Sequence, residues 1–242
     1  TTAEPEVNAL AEYALEQFGA AHVMFNNAGI GGFGDPWTDP IELWHRVVDV
    51  NLFGVVHGVR AFLPIMQQQG VGHIVNTASM AGLGAAPGLA PYFATKHAVV
   101  GLTESLFLEL EALGSPVGAS VLCPGFVKTD LMNKEPESID SPLGPLIAEF
   151  FRTGVDTGIP ASDVADQVVA DLASAVVGAG VAPRRPRSIV VVEVDAATVV
   201  LVPAVEAPQV EIARAEVVVD HVDDHGDAAS VALRHQPPHR VR

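Results

Sequence analysis

Apolar residues recur three and four positions apart over several stretches of the chain, which is the spacing of amphipathic helices. The clearest example is 6–19, where the pattern ends at Gly19, a residue type that commonly ends helices. A longer pattern over 38–69 predicts one long helix or two abutting helices, opened by a threonine or aspartate cap before Pro40. Further helices are predicted over 90–114 and 161–176.

Between these helices lie short runs of consecutive apolar residues, at 22–25, 72–79 and 118–125. Runs of this length, bounded by glycine and polar residues, predict strands that are buried on both faces. Strands that alternate with helices of crossover length indicate a parallel sheet covered by helices on both sides. The predicted fold class is therefore α/β, with a doubly wound parallel sheet and flanking helices.

The composition changes near residue 181. Residues 181–242 consist mainly of Val, Ala, Pro, Arg, Asp, Glu and His, with one glycine and no aromatic residue. Valine-rich stretches at 188–194 and 198–202 have the β-branched content of strands. We therefore divide the chain into a domain over 1–180 and an atypical, low-complexity tail over 181–242. Two explanations of the tail stay open, a frameshifted or mis-joined reading frame and a genuine disordered or accessory extension.

Charge and cysteine content exclude several function classes. The 242-residue chain has a net charge of −16, which argues against sequence-independent attraction to nucleic acid or anionic lipid. The sequence contains no uncharged apolar run of the roughly 18 residues that a membrane span needs. The single cysteine, Cys123, rules out a disulfide framework and fits a reducing compartment. We expect an acidic cytoplasmic protein that binds neither nucleic acid nor membrane.

The stretch NNAGIGGFG, residues 26–34, contains the G-x-G-x-x-G spacing of a dinucleotide-binding turn, at Gly29, Gly31 and Gly34. In such a turn a helix begins within the glycines, because the pyrophosphate binds at the helix N-terminus. Here two prolines separate Gly34 from the next helical pattern. We therefore do not expect this stretch to bind pyrophosphate.

Five short motifs follow one another along residues 26–129. They are NNAG at 26–29, the asparagine of VNLFG at Asn51, the serine of IVNTAS at Ser79, YFATK from Tyr92 to Lys96, and PGFVKT at 124–129. The Y-x-x-x-K spacing alone is common by chance, but the upstream serine and the downstream strand with its Pro-Gly turn make the combination specific. In order and spacing the motifs resemble the short-chain dehydrogenase/reductase family over residues 1 to about 180. The resemblance implies a Rossmann-like sheet and hydride transfer between NAD or NADP and an alcohol/ketone pair.

The same resemblance implies a role for each catalytic position. Tyr92 would be the general acid/base that exchanges a proton with the substrate oxygen, and it would also contact the cofactor. Lys96, on the same helix face, would lower the pKa of Tyr92, as would an oxidised nicotinamide, and would bind the nicotinamide ribose. Ser79 would hold and polarise the substrate oxygen, while Asn51 would order a water that connects Lys96 to solvent. The remaining cofactor contacts would be Asn27, Ala28 and Gly29 on the adenosine side, and Pro124, Gly125, Val127 and Thr129 beside the nicotinamide.

The segment after the Pro-Gly turn, about 131–159, corresponds by resemblance to the lid over the family's substrate. It is rich in Leu, Ile, Met and Phe, and the loop 80–91 is rich in Ala, Gly and Leu. We hypothesise an apolar alcohol or ketone as the substrate, in preference to a sugar or polyol. The alternative, that these residues only pack a lid helix, stays open.

The chain departs from the family at its beginning. Family members carry roughly 60–70 residues of crossover units, including a T-G-x-x-x-G-x-G turn, before the region that matches residues 1–10. We therefore expect an N-terminally truncated, incomplete domain without the first βαβ unit and without the residue that selects NAD or NADP. The strand at 22–25 would then lie at an exposed sheet edge.

Two function hypotheses follow from these observations. The first is a short-chain oxidoreductase whose full-length parent forms a homodimer or homotetramer. The second is a catalytically silent, truncated remnant that acts at most as an interaction module through helices 40–69 and 90–113. A metal site at the paired histidines of 220–227 and 235–239 is disfavoured against a solvated polar tail, so no metal is expected.

Overall fold

The computed structural model describes residues 1–129, 131, 144–177, 188–192, 199–203, 216–218 and 232–234. The chain divides into two compact units, Thr1–Pro203 and Ala204–Arg242. The predicted histidine metal site and most of the predicted tail lie outside the described residues. The division of the chain at residue 180 and both explanations of the tail therefore stay predictions.

The first unit alternates helices and strands along the chain. Its elements are α1 (Glu4–Phe18), β1 (Val23–Asn26), α2 (Ile41–Val48), a π-helical turn (Asp49–Phe53), α3 (Gly54–Gln69), β2 (Gly72–Thr77), a 3₁₀ turn (Met80–Gly82), α4 (Ala90–Ala112), β3 (Val117–Pro124), β4 (Val127–Lys128), α5 (Gly144–Thr157), β5 (Ile159–Pro160), α6 (Ala161–Val177), β6 (Ser188–Val192) and β7 (Val199–Pro203). In the second unit, β8 (Glu216–Val218) pairs antiparallel with β9 (Ala232–Arg234).

The main sheet has five strands in the order β1-β2-β3-β6-β7. The first four are parallel, and β7 runs antiparallel to β6. Within the described part of the chain β1 pairs with β2 alone, so it lies at an edge of the sheet, as the sequence predicted. The valine-rich stretch beginning at Ser188 is the strand that extends the sheet beyond β3.

Both faces of the sheet are covered by helices. On one face Phe62 and Met66 of α3 pack with Ile74 of β2. On the other, Val164 and Val168 of α6 pack with residues of β2 and β3. This arrangement confirms the predicted doubly wound α/β class, because buried parallel strands require apolar cover on both sides.

The pattern at 38–69 corresponds to one continuous helical run, in which a π-helical turn joins α2 to α3. The run is long and apolar enough to cross a membrane by length and composition, with an 18-residue window of mean hydropathy 1.3 that is 28% buried. One such helix is weak evidence for a membrane span, and α3 packs against β2 here.

The predicted aspartate or threonine cap of this run was wrong. The cap position is Pro40, and in the described part of the chain no side-chain cap hydrogen bond forms at this helix start. The Asp39 carboxylate lies instead against Gly34, where a Cβ would come within 2.1 Å of Oδ2. Gly34 has a φ of 152°, and its lack of a side chain provides the space into which Asp39 turns.

Candidate active site

The predicted catalytic and cofactor-binding positions converge where three parallel strands end. Residues 27–30 follow β1, Ser79 follows β2, and Gly125 follows β3. Helix α4, which carries Tyr92 and Lys96, begins beside these strand ends. Because the carboxyl ends of parallel strands form the crevice in which α/β folds bind ligands, this edge is the candidate site.

Ser79 is held in place by the backbone on both sides. Its Oγ donates to the carbonyl oxygen of Pro124 at 3.4 Å and accepts from the amide of Ala81 at 3.1 Å. The second bond caps the short 3₁₀ turn that follows β2. The Ser79 side chain also lies within hydrogen-bonding reach of Tyr92, so the predicted acid/base and the residue predicted to hold the substrate oxygen are neighbours.

The pKa of Tyr92 lies above its ordinary value in this structure. Burial raises the pKa, because it disfavours the charged phenolate, and the hydrogen bond with Ser79 lowers it by less. The sequence analysis expected Lys96 to lower this pKa. The ammonium of Lys96 lies over the Tyr92 ring, 5.5 Å from its centroid, and the burial of the phenol dominates.

Lys96 is a buried lysine whose ammonium group donates a hydrogen bond to a backbone carbonyl. Lys96 is only 4% exposed, and its Nζ donates a hydrogen bond to the carbonyl oxygen of Thr77 at 3.0 Å. Burial lowers the pKa of Lys96 to about 8. A Cβ at Gly29 would lie 3.6 Å from Nζ, so the NNAG backbone passes directly beside the ammonium.

Asn51 sits in the π-helical turn and is fully buried. Its Oδ1 accepts from the amide of Ile30 at 2.8 Å, and its Nδ2 donates to the carbonyl oxygen of Ile30 at 2.9 Å. A second bond of Nδ2 goes to Oγ1 of Thr95 at 3.3 Å. The side chain therefore clamps the residue that follows NNAG, and its predicted role in ordering a water stays a prediction.

Sequence analysis missed Thr95, which is buried between Asn51 and the backbone of its own helix. Its hydroxyl donates to the carbonyl oxygen of Tyr92 at 2.8 Å. The signal was present in the YFATK motif, where a hydroxyl residue directly precedes Lys96. A threonine in a helix is as readily explained by packing as by a hydrogen bond outside the helix, so the motif alone does not identify this role.

The predicted cofactor contacts on the two sides of the site differ in exposure. Asn27 and Ala28 are exposed, and Gly29 is partly buried against Lys96 and Asn51. Beyond β3, Pro124, Gly125 and Val127 are partly buried and Thr129 is exposed. Thr129 also lines an open pocket of about 350 Å³ together with Lys128, Val155 and Asp156. All of these positions border the same end of the sheet, and their roles stay predictions.

An aromatic and aliphatic cluster covers Tyr92. Buried Phe33, Leu89 and Ile147 form its centre, and Tyr92 and Phe151 pack against it. Phe151 of α5 meets Phe33 edge to face with ring centroids 5.4 Å apart. It meets Phe126 and Phe150 in the same way, at 5.7 Å and 5.3 Å. The described part of the predicted lid is thus apolar where it approaches the candidate acid/base.

The glycines of NNAGIGGFG do not begin a helix. After Gly34 the chain forms a turn, and α2 starts only at Ile41. The amide of Gly34 donates to the carbonyl oxygen of Gly88 at 3.1 Å, which ties the stretch to the loop before α4. The stretch therefore lacks the helix N-terminus that a pyrophosphate-binding turn provides, and the expectation that it does not bind pyrophosphate stays a prediction.

Comparison with known proteins gives consistent matches over most of the first unit. The family model described as short chain dehydrogenase matches residues 1–140. A CLA biosynthesis dehydrogenase/reductase of Lactiplantibacillus plantarum is 35% identical over 69% of this chain and 63% of its own length. A 2-(R)-hydroxypropyl-CoM dehydrogenase of Xanthobacter autotrophicus is 38% identical over 69% of this chain and 65% of its own.

Solved structures give the same result. A short chain dehydrogenase/reductase of Burkholderia phymatum, crystallised in complex with NAD, is 40% identical with a TM-score of 0.67. That match covers 72% of this chain and 65% of the solved chain. The chain therefore spans slightly less than two thirds of the length of each of these three relatives.

Proposed function

The chain belongs to the short-chain dehydrogenase/reductase family, and we propose that it carries the proton-transfer site of a nicotinamide-dependent oxidoreductase that acts on an alcohol/ketone pair. The observation that carries the proposal is the ammonium of Lys96 over the Tyr92 ring, 5.5 Å from its centroid, with Ser79 within hydrogen-bonding reach of Tyr92. Such a set of groups can hold a substrate oxygen and exchange a proton with it.

The described residues fit the nicotinamide end of such a cofactor. Lys96 forms one hydrogen bond through Nζ, to Thr77, while an ammonium has three donors. The backbone at Gly29 passes beside the same ammonium, and a side chain there would approach both it and Asn51. We propose that Lys96 binds the ribose hydroxyls, that residues 27–29 border the adenosine side, and that Pro124, Gly125, Val127 and Thr129 border the nicotinamide. NAD and NADP both remain candidates.

The chain's own residues would handle the substrate oxygen and its proton. Ser79 is fixed by Ala81 and Pro124, so its hydroxyl is oriented before a substrate binds. Tyr92 would give its hydroxyl proton to a carbonyl oxygen during reduction and take it back from an alcohol during oxidation. A bound nicotinamide would supply the hydride during reduction and accept it during oxidation. The buried ammonium of Lys96 would favour the phenolate electrostatically once the site is desolvated.

We further propose that the substrate is apolar. The cluster that packs against Tyr92 is composed of Phe, Leu and Ile side chains, and in the described lid helix α5 the aromatic pair Phe150 and Phe151 faces Phe126. Burying a polyol against such groups would leave hydroxyls without partners, which costs affinity. A cyclohexanol dehydrogenase of Acinetobacter, 41% identical over 60% of this chain and 58% of its own length, is named for an apolar alcohol.

Titration of the full chain with NADH and with NADPH, followed by cofactor fluorescence, tests the cofactor part of the proposal. Saturable binding of either one is expected. Turnover is then measured with cyclohexanone, with longer aliphatic ketones and with a sugar polyol in the reverse direction. Faster turnover of the polyol than of every apolar ketone would contradict the apolar substrate, and no turnover at all despite saturable binding would contradict the catalytic proposal.

The second candidate function is a catalytically silent interaction module. It is favoured by exposed apolar side chains on the two long helices, including Phe53 in the π-helical turn and Leu108 on α4. In a full-length parent the same helices would form the homodimer or homotetramer that the family resemblance implies. If the folded chain bound neither NADH nor NADPH, that result would favour the interaction module. Under both candidates we propose a cytoplasmic protein without nucleic acid or membrane partners.

A further inference from the structure

Two buried threonines on α4 make the same pair of hydrogen bonds two turns apart. Thr95 and Thr103 are each 2% exposed. Each hydroxyl donates to a carbonyl of its own helix, Thr95 to Tyr92 at 2.8 Å and Thr103 to Val99 at 2.7 Å. Each also accepts from an asparagine side chain that lies outside α4.

The two asparagines lead to opposite ends of one short segment. Asn51, whose Nδ2 donates to Thr95, bonds both backbone groups of Ile30. Asn76, whose Nδ2 donates to Thr103 at 2.9 Å, accepts from Nδ2 of Asn26 at 2.8 Å. Residues 26–30 are therefore tied to α4 at both ends, and Gly29 between them passes beside Lys96.

The threonine hydroxyl supports the same orientation of the Asn51 amide that the backbone of Ile30 requires. Because Thr95 spends its only proton on its own helix, it presents a lone pair, which only the NH₂ group of Asn51 can use. The other Nδ2 proton of Asn51 goes to the carbonyl oxygen of Ile30, and Oδ1 accepts from the amide of Ile30, so Thr95 and Ile30 together hold the amide in one orientation. Without the hydroxyl, one Nδ2 proton would lose its partner in a buried site, and the amide would be less firmly oriented.

We propose that Thr95 is a positioning residue: it orients the Asn51 amide, which holds Ile30 and thereby keeps the Gly29 backbone beside the Lys96 ammonium. Thr103 holds the strand end of the same segment through Asn76 and Asn26. The consequence for cofactor binding rests on the proposed function, whereas the orientation of Asn51 by Thr95 does not.

The first test measures amide hydrogen exchange by NMR on the full chain without cofactor. Thr95→Val removes the hydroxyl and keeps the side-chain shape, Thr95→Ser keeps the hydroxyl, and Thr103→Val removes the matching bonds at the other end of the segment. We expect Thr95→Val to speed exchange of the Ile30 amide about tenfold relative to the core amides of Ile74 and Val121, since roughly one hydrogen bond is weakened. Thr95→Ser and Thr103→Val should leave that ratio close to the wild-type value.

The second test measures the NADH dissociation constant of the same variants. We expect it to rise about tenfold in Thr95→Val and to return to within about twofold in Thr95→Ser, a rescue that lost packing alone would not produce. An unchanged Ile30 ratio in Thr95→Val would overturn the proposal, as would an equal loss in the serine variant. If Thr95→Val does not fold, Thr95→Ala serves in both tests. If the wild type binds neither NADH nor NADPH, the proposed function fails, and the exchange measurement still decides the role of Thr95.

Discussion

The ammonium of Lys96 lies over the ring of Tyr92, 5.5 Å from the centroid, and donates its hydrogen bond to the carbonyl oxygen of Thr77. Burial of the phenol is the largest influence on the pKa of Tyr92, and it raises that pKa above the ordinary value. A positive charge brought by an oxidised nicotinamide would act in the opposite direction.

The ionisation of Tyr92 should consequently depend on the bound cofactor. Without cofactor, the tyrosinate absorbance of wild type minus that of Tyr92→Phe should show a transition above about pH 10, the ordinary tyrosine value, because the buried phenolate is disfavoured. With saturating oxidised cofactor the transition should move to lower pH. A transition below pH 10 in the free chain would contradict the structure.

Loss of the Tyr92 hydroxyl should abolish proton transfer while sparing the cofactor site. We expect Tyr92→Phe to lower turnover roughly 10²- to 10⁴-fold, the usual contribution of a general acid, with little change in NADH affinity. The chain offers a matched control in its other tyrosine, Tyr13, which is exposed on α1. Tyr13→Phe should keep wild-type turnover. Equal turnover in the two variants would remove Tyr92 from the mechanism.

Two helix glycines should respond in opposite directions to the same substitution. A Cβ at Gly58 of α3 would lie 1.8 Å from Oδ1 of buried Asn26, so Gly58→Ala should lower the free energy of unfolding by roughly 1–3 kcal/mol. Among the described residues, and leaving aside its own helix backbone and chain neighbours, Gly101 of α4 has no atom within 4 Å of that position. Gly101→Ala should raise the free energy of unfolding by about 0.5–1 kcal/mol, because alanine loses less backbone entropy on folding. Urea unfolding measures both, and destabilisation by both variants would argue against the close approach of Asn26.

Sequence patterns predicted the helices and the group of candidate catalytic residues, but not the hydrogen bonds between distant side chains. Helical spacing identified α3 and α4, and motif spacing identified Asn51, Ser79, Tyr92 and Lys96 as a group, because both signals lie in residue order. The two threonine–asparagine pairs join residues that are 44 and 27 positions apart, and no local pattern encodes such pairings. The π-helical turn escaped prediction for a related reason, since it differs from an α-helical turn only in its hydrogen-bond register.

His73 should make the fold sensitive to acid. Its ring is buried beside Gly118, it hydrogen-bonds with Oγ of Ser120 at 2.9 Å, and burial lowers its pKa to about 4. A histidine whose pKa is lowered by folding adds its full stability at pH values above its pKa in the unfolded chain, about 6.5. That stability is lost as the pH falls towards the pKa in the folded chain, about 4. The loss should approach roughly 3 kcal/mol at pH 4, by 1.36 kcal/mol per pKa unit.

Urea unfolding at a series of pH values measures this loss in the wild type and in His73→Gln. The variant should be less stable at neutral pH but should lose less stability between pH 6.5 and pH 4. His97→Gln changes an exposed histidine on α4 and should follow the wild-type curve. If the His73 and His97 variants showed the same pH dependence, the acid sensitivity would have another source.

The π-helical turn Asp49–Phe53 also bears on how this protein tolerates changes in length. A π-helical turn contains one more residue than an α-helical turn, and each residue rotates a helix by about 100°. Deleting one residue here would regularise the helix and rotate α2 relative to α3. Either Asn51 would turn away from Ile30, or Phe62 and Met66 would leave the sheet. The packing of α2 and α3 therefore constrains the number of residues in this turn as strongly as their identity. Single-residue insertions and deletions should be accepted near Ile41 and Gln69, but not between these two positions.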